Sequence, residues 1–272
     1  MTRLREEDIC YVGQRLENYD LQLFQRTGKG LAGIAAHALG KVPEDFAAVR
    51  QGISVGIVPI AYGQGIINGF SETLQDIIEF LGFFAFVTES PNISGLGEAI
   101  SRGAKLIFLA DDDKFVALNI ASGKVSDNGE ATGRGYAAAL ALMAGSVQGS
   151  KVLVIGAGPV GSGAALYLAQ QGAQVVVHDP DFGKISQLRE LIPGIHVAPK
   201  LDTALAECNL VLEATPAEDT IIQQYITGAT RVAAPGIPLG LNPMCRELLA
   251  EHLVHDVLEI GVATMLFTAL TE

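Results

Sequence analysis

Apolar and polar positions along the chain follow two rhythms in turn. Over residues 4–50 the spacing is helical. Leu4, Ile9, Val12 and Leu16 fall on one stripe, and Leu31, Ile34, Ala35 and Leu39 on another. Pro43 opens a further short helical piece, at a position where proline is tolerated. From residue 53 short apolar runs take over. ISVGIVPI reads as a buried strand, SETLQDIIEFLGF as an amphipathic helix ending near Gly82, and FAFVT as a strand. SGLGEAISRG is a short helix, AKLIFLAD a third strand, DKFVALNI a further strand, and SGKVSDNGE a run of turns. This is a βαβαβ unit with an extra strand.

A long helix, GRGYAAALALMAG, leads into a second alternating series. KVLVIGAG is a strand and glycine turn, followed by a helix, the strand AQVVVHD, a helix near Lys184 to Leu191, and the strands IHVA and NLVLEAT. A helix, RVAAPG, another helix and the strand VHDVLEI complete it, and GVATMLFTAL is a last apolar helix. Strands alternating with helices predict parallel, doubly wound sheets. The expected fold class is α/β, with a C-terminal Rossmann domain and an N-terminal helical and βαβ substrate region. The expected divisions are a helical region over 1–50, a middle α/β substrate region over 51–135 and a dinucleotide-binding domain over 136–272. The last helix is free to pack back on the first lobe. It serves either that junction or an interface, so a homodimer is among the expectations.

Composition narrows the functional classes. Of 272 residues, 49% are hydrophobic and 18% charged, which is the balance of a packed globular protein rather than a disordered one. The net charge of −12 argues against nucleic acid or an anionic membrane as the main partner. It suits a cationic small molecule, and equally a plain acidic surface. The start, MTRLREEDICYVG, lacks the apolar core of a secretory signal, and no apolar run reaches the ~18 residues of a membrane span. Cys10, Cys208 and Cys245 are odd in number and widely spaced, suggesting neither a disulfide framework nor a zinc site. The expected location is the cytoplasm.

The most specific signal is KVLVIGAGPVGSGAALYLAQQGAQVVVHD. A lone G-x-G-x-x-G is weak, but Gly156, Gly158 and Gly161 stand between a strand and a helix, with Asp179 closing the next strand. Gly156 permits the tight turn, Gly158 lets a pyrophosphate approach, and Gly161 lets the helix pack on the sheet. Pro159 and Val160 open that helix, whose free N–H groups and positive dipole end face the phosphates. Asp179 accepts from the ribose hydroxyls and repels a 2′-phosphate, which favours NAD over NADP. FAD is disfavoured, because flavoproteins with this motif usually carry it near the N-terminus. Two later loops, ATPAED and APGIPLG, also follow strands, so Thr215, Pro216, Pro235 and Gly236 are candidate walls of the nicotinamide side. The alternative is that they are only turns.

The first lobe must then supply most of the substrate site. The same strand-end rule points to GIVPIAYGQGIINGFSETL and to the end of LIFLAD, which places Tyr62 to Ser71 and Asp111, Asp112 and Asp113 at a cleft mouth. No P-loop lysine follows the glycines. Ser71 either caps the next helix or touches substrate. Carboxylates beside a nicotinamide suit an ammonium-bearing substrate, since a buried cation needs a paired anion. Three adjacent aspartates without a nearby histidine are weak metal ligands, so no metal is expected. His255, Asp256 and Glu259 read by themselves as surface residues of the last strand. No histidine stands in a catalytic motif, and amine oxidation needs little acid–base help once the amine is deprotonated.

Together GIVPIAYGQGIINGFSETL, LADDDKFVALN, VLVIGAGPVG, LEATPAEDTI and IGVATML resemble the pyrrolysine synthase family, in order and over nearly the whole chain. The resemblance implies a substrate made of 3-methyl-D-ornithine joined by an amide to the ε-amine of L-lysine. It implies NAD-dependent oxidation at the carbon bearing the terminal amine, release of ammonia, ring closure and loss of water. Carried onto matching positions, it implies Leu4 as a lid over the substrate, Ser71, Asn119 and Asn128 as substrate contacts, and Asp111 and Asp256 as the catalytic carboxylates. Tyr62 departs from the family pattern, which has a small hydroxyl residue there; the pocket differs in shape or Tyr62 points elsewhere. The partner implied is a dicationic isopeptide. The alternatives are another NAD-dependent amino-acid or opine-type dehydrogenase, and a non-catalytic NAD-binding regulator.

Overall fold

In the computed structural model, which describes residues 4–271, the apolar runs of the first half form a five-stranded sheet. Four helices precede it: α1 (Glu6–Ile9), α2 (Val12–Thr27), α3 (Leu31–His37) and α4 (Ala47–Arg50). There follow β1 (Ser54–Val58), α5 (Phe70–Phe80), β2 (Phe84–Val87), α6 (Asn92–Ser101), β3 (Leu106–Ala110), β4 (Phe115–Asn119) and β5 (Val125–Asp127). The strand order is β2-β1-β3-β4-β5. The first three strands run parallel through the helical crossovers, while β4 and β5 are antiparallel additions. Gly56 in β1 is needed for close packing, because a Cβ there would lie 2.9 Å from the Ala99 Cβ of α6. On α5 the buried set Ser71, Leu74, Ile77 and Ile78 is a helical stripe against the sheet.

Helix α7 (Asn128–Ala144) leads to the second sheet, made of β6 (Lys151–Ile155), β7 (Gln174–His178), β8 (His196–Val197), β9 (Leu210–Glu213), β10 (Arg231–Ala233) and β11 (Leu253–Val254). Its order is β11-β10-β9-β6-β7-β8, and every pairing is parallel. The connecting helices are α8 (Pro159–Gln170), α9 (Phe182–Leu191), α10 (Leu201–Glu207) and α11 (Pro243–Leu248), and α12 (Glu259–Leu270) ends the chain. This is a doubly wound Rossmann sheet with its strand order reversing at β6.

Two units result. The first holds the chain up to Leu21, Leu31–Ala131 and everything from Leu258 onward; the second holds Gln22–Gly30 and Thr132–Val257. The division is thus twofold rather than threefold, and the last helix joins the first unit. Ten of the twelve α12 residues are buried, against α3, α5, β4 and β5. Phe267 stacks on Phe46 at 4.2 Å between centroids. The Asn119 amide donates to Ala269 O at 2.9 Å, and Arg15 pairs with the fully buried Glu259 at 3.0 Å. That apolar face is therefore filled by its own chain and is not an open interface.

Four local expectations are corrected. SGKVSDNGE is not only turns, because β5 pairs with β4 through Val116↔Asp127, and α7 starts at Asn128. The segment between NLVLEAT and RVAAPG holds only the 3-10 turn Gln223–Tyr225, while the helix α10 precedes NLVLEAT. Of VHDVLEI only Val254 is in a strand, the two-residue edge strand Leu253–Val254, and Glu259 accepts from the Leu258 N–H at 3.0 Å as α12 begins. Ser71 does not cap α5, since the N-cap is Gly69, held at φ 77°, where a side chain would be strained.

Candidate active site

In the second unit, β6 ends at Ile155 and the chain turns through Gly156 at φ 95°, a left-handed value that favours glycine. A Cβ on Gly156 would lie 2.7 Å from Ala214 O, and one on Gly161 would collide with Gly156 O. Nothing lies within 4 Å of the corresponding position on Gly158. Tight walls at the first and third glycines and open space at the second match what a pyrophosphate needs. Pro159 stands in the first turn of α8, and its N-cap Gly158 makes no side-chain cap, so the first N–H groups of a twelve-residue helix are left for an anion. Val160 packs under α7, where a Cβ on Gly133 would overlap the Val160 carbonyl. Asp179 lies at the end of β7. Its Oδ2 accepts from Ala157 N at 2.7 Å and its Oδ1 from Asp181 N at 2.8 Å. The carboxylate thus supports the glycine turn and keeps lone pairs for a ribose. These residues fit a dinucleotide.

The two later loops lie at the next strand ends. Thr215 donates twice to Glu213 Oε1, from its N–H at 2.9 Å and its hydroxyl at 2.5 Å. Pro216 is exposed, Pro235 half-buried and Gly236 buried. A Cβ on Gly236 would lie 2.3 Å from Thr215 O and 2.5 Å from Glu213 Oε2, so the loops meet over the Glu213 carboxyl. Glu213 is fully buried, and desolvation pushes its pKa up to about 7, against the opposing pull of Thr215. Sequence reasoning missed it, because an acid closing an apolar strand reads as a terminator.

In the first unit, GIVPIAYGQGIINGFSETL forms the loop from β1 to α5. Gly63, Gly65 and Gly69 all take left-handed φ values. Asp112 Oδ2 accepts from Gln64 N at 2.8 Å and sits where a Gly63 side chain would be. The glycines thus let the loop close on the β3–β4 hairpin. Asn68 donates to Glu6 of α1 at 3.3 Å, and Leu4, just before that helix, is half-buried. Asp111 Oδ1 accepts from Asp113 N at 2.9 Å and Lys114 N at 2.7 Å. These backbone bonds hold its carboxyl below the ordinary aspartate range. It is a fixed anion at the mouth of the sheet and a weak base.

Other candidates fall elsewhere. Tyr62 is 71% exposed, so it points to solvent rather than into a pocket. Asn119 lies opposite Leu106, at the amino end of β3, the far end of the sheet from Asp111. Its amide is spent on Ala121 N, Ser122 N and Ala269 O, which makes it a structural tie. Asn128 is buried in the first turn of α7, next to Asp127, which pairs with Lys114 at 2.8 Å. Asp256 is buried and belongs to the second unit; its backbone N–H and C=O both bond the Tyr136 hydroxyl, at 2.8 and 2.9 Å. It is therefore not a surface residue, nor is Glu259. Among the described residues no cluster could hold a metal ion, no helix is long and apolar enough to cross a membrane, and the three cysteines are free.

Residues 9–126 match the family described as "Pyrrolysine biosynthesis protein PylD, N-terminal domain", and residues 139–232 match "Shikimate / quinate 5-dehydrogenase". The chain is 32% identical to the pyrrolysine synthase of Methanosarcina acetivorans over 270 residues, covering 99% of this chain and 100% of that protein. It is 33% identical to the pyrrolysine synthase of Methanosarcina barkeri, covering 99% and 98%. Among solved structures it resembles a quinate dehydrogenase from Corynebacterium glutamicum in complex with NAD, at TM-score 0.54 and 14% identity, over 80% of this chain and 92% of that one. It also resembles a shikimate dehydrogenase from Aquifex aeolicus, at TM-score 0.52 and 17% identity, over 80% and 90%. These last two likenesses concern the fold.

Proposed function

The chain belongs to the pyrrolysine synthase family, and from that premise we propose that it is a cytoplasmic NAD-dependent dehydrogenase acting on 3-methyl-D-ornithyl-Nε-L-lysine. Oxidation at the carbon bearing the terminal amine gives an imine. Water replaces ammonia, the resulting aldehyde closes on the remaining free amine of the ornithine part, and loss of water leaves a pyrroline ring. The observation that carries the reading is the glycine turn at Gly156, Gly158 and Gly161, open only where a pyrophosphate would lie and supported from below by Asp179. Bound there, NAD supplies the hydride acceptor.

The chain's own residues do the rest. Asp179 takes the adenosine ribose and disfavours a 2′-phosphate. Thr215, Pro216, Pro235 and Gly236 line the nicotinamide side. In the first unit, Asp111 is the anion for a substrate ammonium, with Ser71 as a nearby polar contact and Leu4 as cover. Its depressed pKa suits holding a cation rather than removing a proton. Asp256, buried with its backbone bonded to the Tyr136 hydroxyl, is the other carboxylate assigned a role. Amine oxidation then asks for orientation and for one ammonium to be deprotonated, and desolvation favours that deprotonation.

The test is formation of reduced nicotinamide with the lysine–ornithine isopeptide, followed by mass spectrometry of the product. Growth of the absorbance together with a pyrroline-containing product supports the reading. Bound NAD with no turnover sinks the substrate assignment, and turnover of a different amino acid would favour an opine-type dehydrogenase instead.

A further inference from the structure

The dinucleotide reading orders the second sheet from one end of the cofactor to the other. Asp179 closes β7, the pyrophosphate turn closes β6, and the next strands across are β9 and then β10. The nicotinamide half therefore belongs at the ends of β9 and β10, where ligands of open parallel sheets bind. Glu213 is the last residue of β9, paired with Ile155 of β6. Both loops assigned to the nicotinamide side are built around its carboxyl. Thr215 is tied to Oε1 by two hydrogen bonds, and Gly236 has no room for a side chain because Oε2 occupies it. Gly240 closes the far side, where a Cβ would lie 2.9 Å from the Glu213 carboxyl carbon.

Oε2 is buried with no hydrogen-bond partner among the described residues. Thr220 and the Gly240 N–H face the same carboxyl closely enough to lower its pKa, yet neither satisfies Oε2. A carboxyl left this way by a fold that could have used an apolar residue costs stability and needs a functional account.

We propose that Glu213 is an electrostatic positioning residue of the nicotinamide end, a buried anion that makes this unit prefer the oxidised, cationic ring over the reduced, neutral one. The inference rests on the dinucleotide reading and deepens it. The charge acts through the protein rather than by contact, because Glu213 is fully covered. Oxidised and reduced nicotinamide differ by one positive charge on the ring, so a fixed anion beneath it separates their affinities while leaving the shared adenosine half untouched. For an enzyme running toward oxidation the consequence is useful: the ring binds as a cation and, once reduced, is held less tightly. Desolvation leaves the carboxyl partly protonated near pH 7 in the empty site, and a cationic ring placed beside it would draw it to the ionised form. The charged or titratable side chains on the elements around it are Glu218 and Asp219 in the loop after β9, Arg231 on β10, Cys245, Arg246 and Glu247 on α11, and His255 and Asp256 after β11; the carboxyl's side-chain hydrogen bond is to Thr215.

The test measures dissociation constants of NAD and NADH separately, by calorimetry and nicotinamide fluorescence, in the wild type and in Glu213→Gln. The amide keeps the shape and the acceptor for Thr215 but removes the charge. The expected result is a fall of about tenfold in the preference for NAD over NADH, the size for unit charges roughly 10 Å apart at an effective dielectric near 20. A purely structural role would weaken both nucleotides by one common factor, and that outcome overturns the proposal. If the variant fails to fold, the wild type decides alone. Its preference for NAD should shrink as pH is lowered through about 7, and a constant preference overturns the proposal. A wild type that binds neither nucleotide refutes the dinucleotide reading itself, which is a different failure.

Discussion

Replacing Glu213 by glutamine should change how the stability of the second unit depends on pH. Burial raises the carboxyl from its ordinary 4.5 to about 7 in the folded chain. The folded state therefore binds the proton more tightly than the unfolded one. A raised carboxyl contributes stability that is fully present below the unfolded pKa and is lost as pH rises through the folded value. The displacement of about 2.5 units corresponds to about 3 kcal/mol at 1.36 kcal/mol per unit. Full burial means no discount for solvent screening. Glutamine stays neutral at every pH and keeps the acceptor for Thr215. Any fixed offset from its unpartnered N–H groups applies equally at all pH values. The variant should thus gain about 3 kcal/mol relative to the wild type between pH 4.5 and a pH well above 7. Urea unfolding followed by circular dichroism at a series of pH values measures this, with the two units fitted as separate transitions. Parallel pH profiles for the two proteins would refute the argument, because they would mean that Glu213 is not desolvated in the fold.

Four further outcomes follow from the geometry. Gly161→Ala should abolish NAD binding, since its Cβ would overlap Gly156 O and force α8 away from the turn; calorimetry reads this directly. Asp179→Ala should weaken NAD by a factor equivalent to about 1.5–3 kcal/mol. It should also narrow the gap to NADP, which competition between the two cofactors would show. Asp111→Asn should raise the KM for the isopeptide with little change in cofactor affinity. Asn119→Ala should instead lower the melting temperature and leave the KM alone, because its amide holds the β4–β5 turn and the end of α12.

The contrast between Asp111 and Asn119 shows what the chain's local pattern reveals and what it withholds. The parallel strands and the glycine turn were legible because each rests on neighbouring residues: an apolar run, a glycine at a fixed offset, a helix that starts where the turn ends. Both Asp111 and Asn119 are polar residues at the ends of the β3–β4 hairpin and look alike in sequence. Only the antiparallel register, with Asn119 opposite Leu106, places one at the carboxyl end of β3 and the other at its amino end. The short strand β5 escaped notice for the same reason: SGKVSDNGE carries turn residues, and its strand character comes from pairing with β4. Helix α12 is apolar on every side, which a sequence reads as either interface or core. The partners that settle it are α3, α5 and β4, far away along the chain.

Glu213 is the extreme case of such non-local meaning. Nothing within LVLEAT says that its acid is buried, because the covering residues Gly236 and Gly240 arrive from beyond β10. In isolation the structure presents a liability: a carboxyl with one oxygen unpartnered, in a site where a leucine or a methionine would pack without a desolvation cost. Stability alone would not retain it. The surrounding glycines have no room for any larger residue, so the loops are shaped to this side chain and not merely tolerant of it. A group that lowers stability, yet has two loops fitted around it at the carboxyl end of β9, is what a charge kept for binding looks like. The same substitution should therefore raise the unfolding free energy above pH 7 and reduce the preference between the two redox forms of the nicotinamide. A gain in one without a loss in the other would separate the physical cost of the buried charge from the role assigned to it.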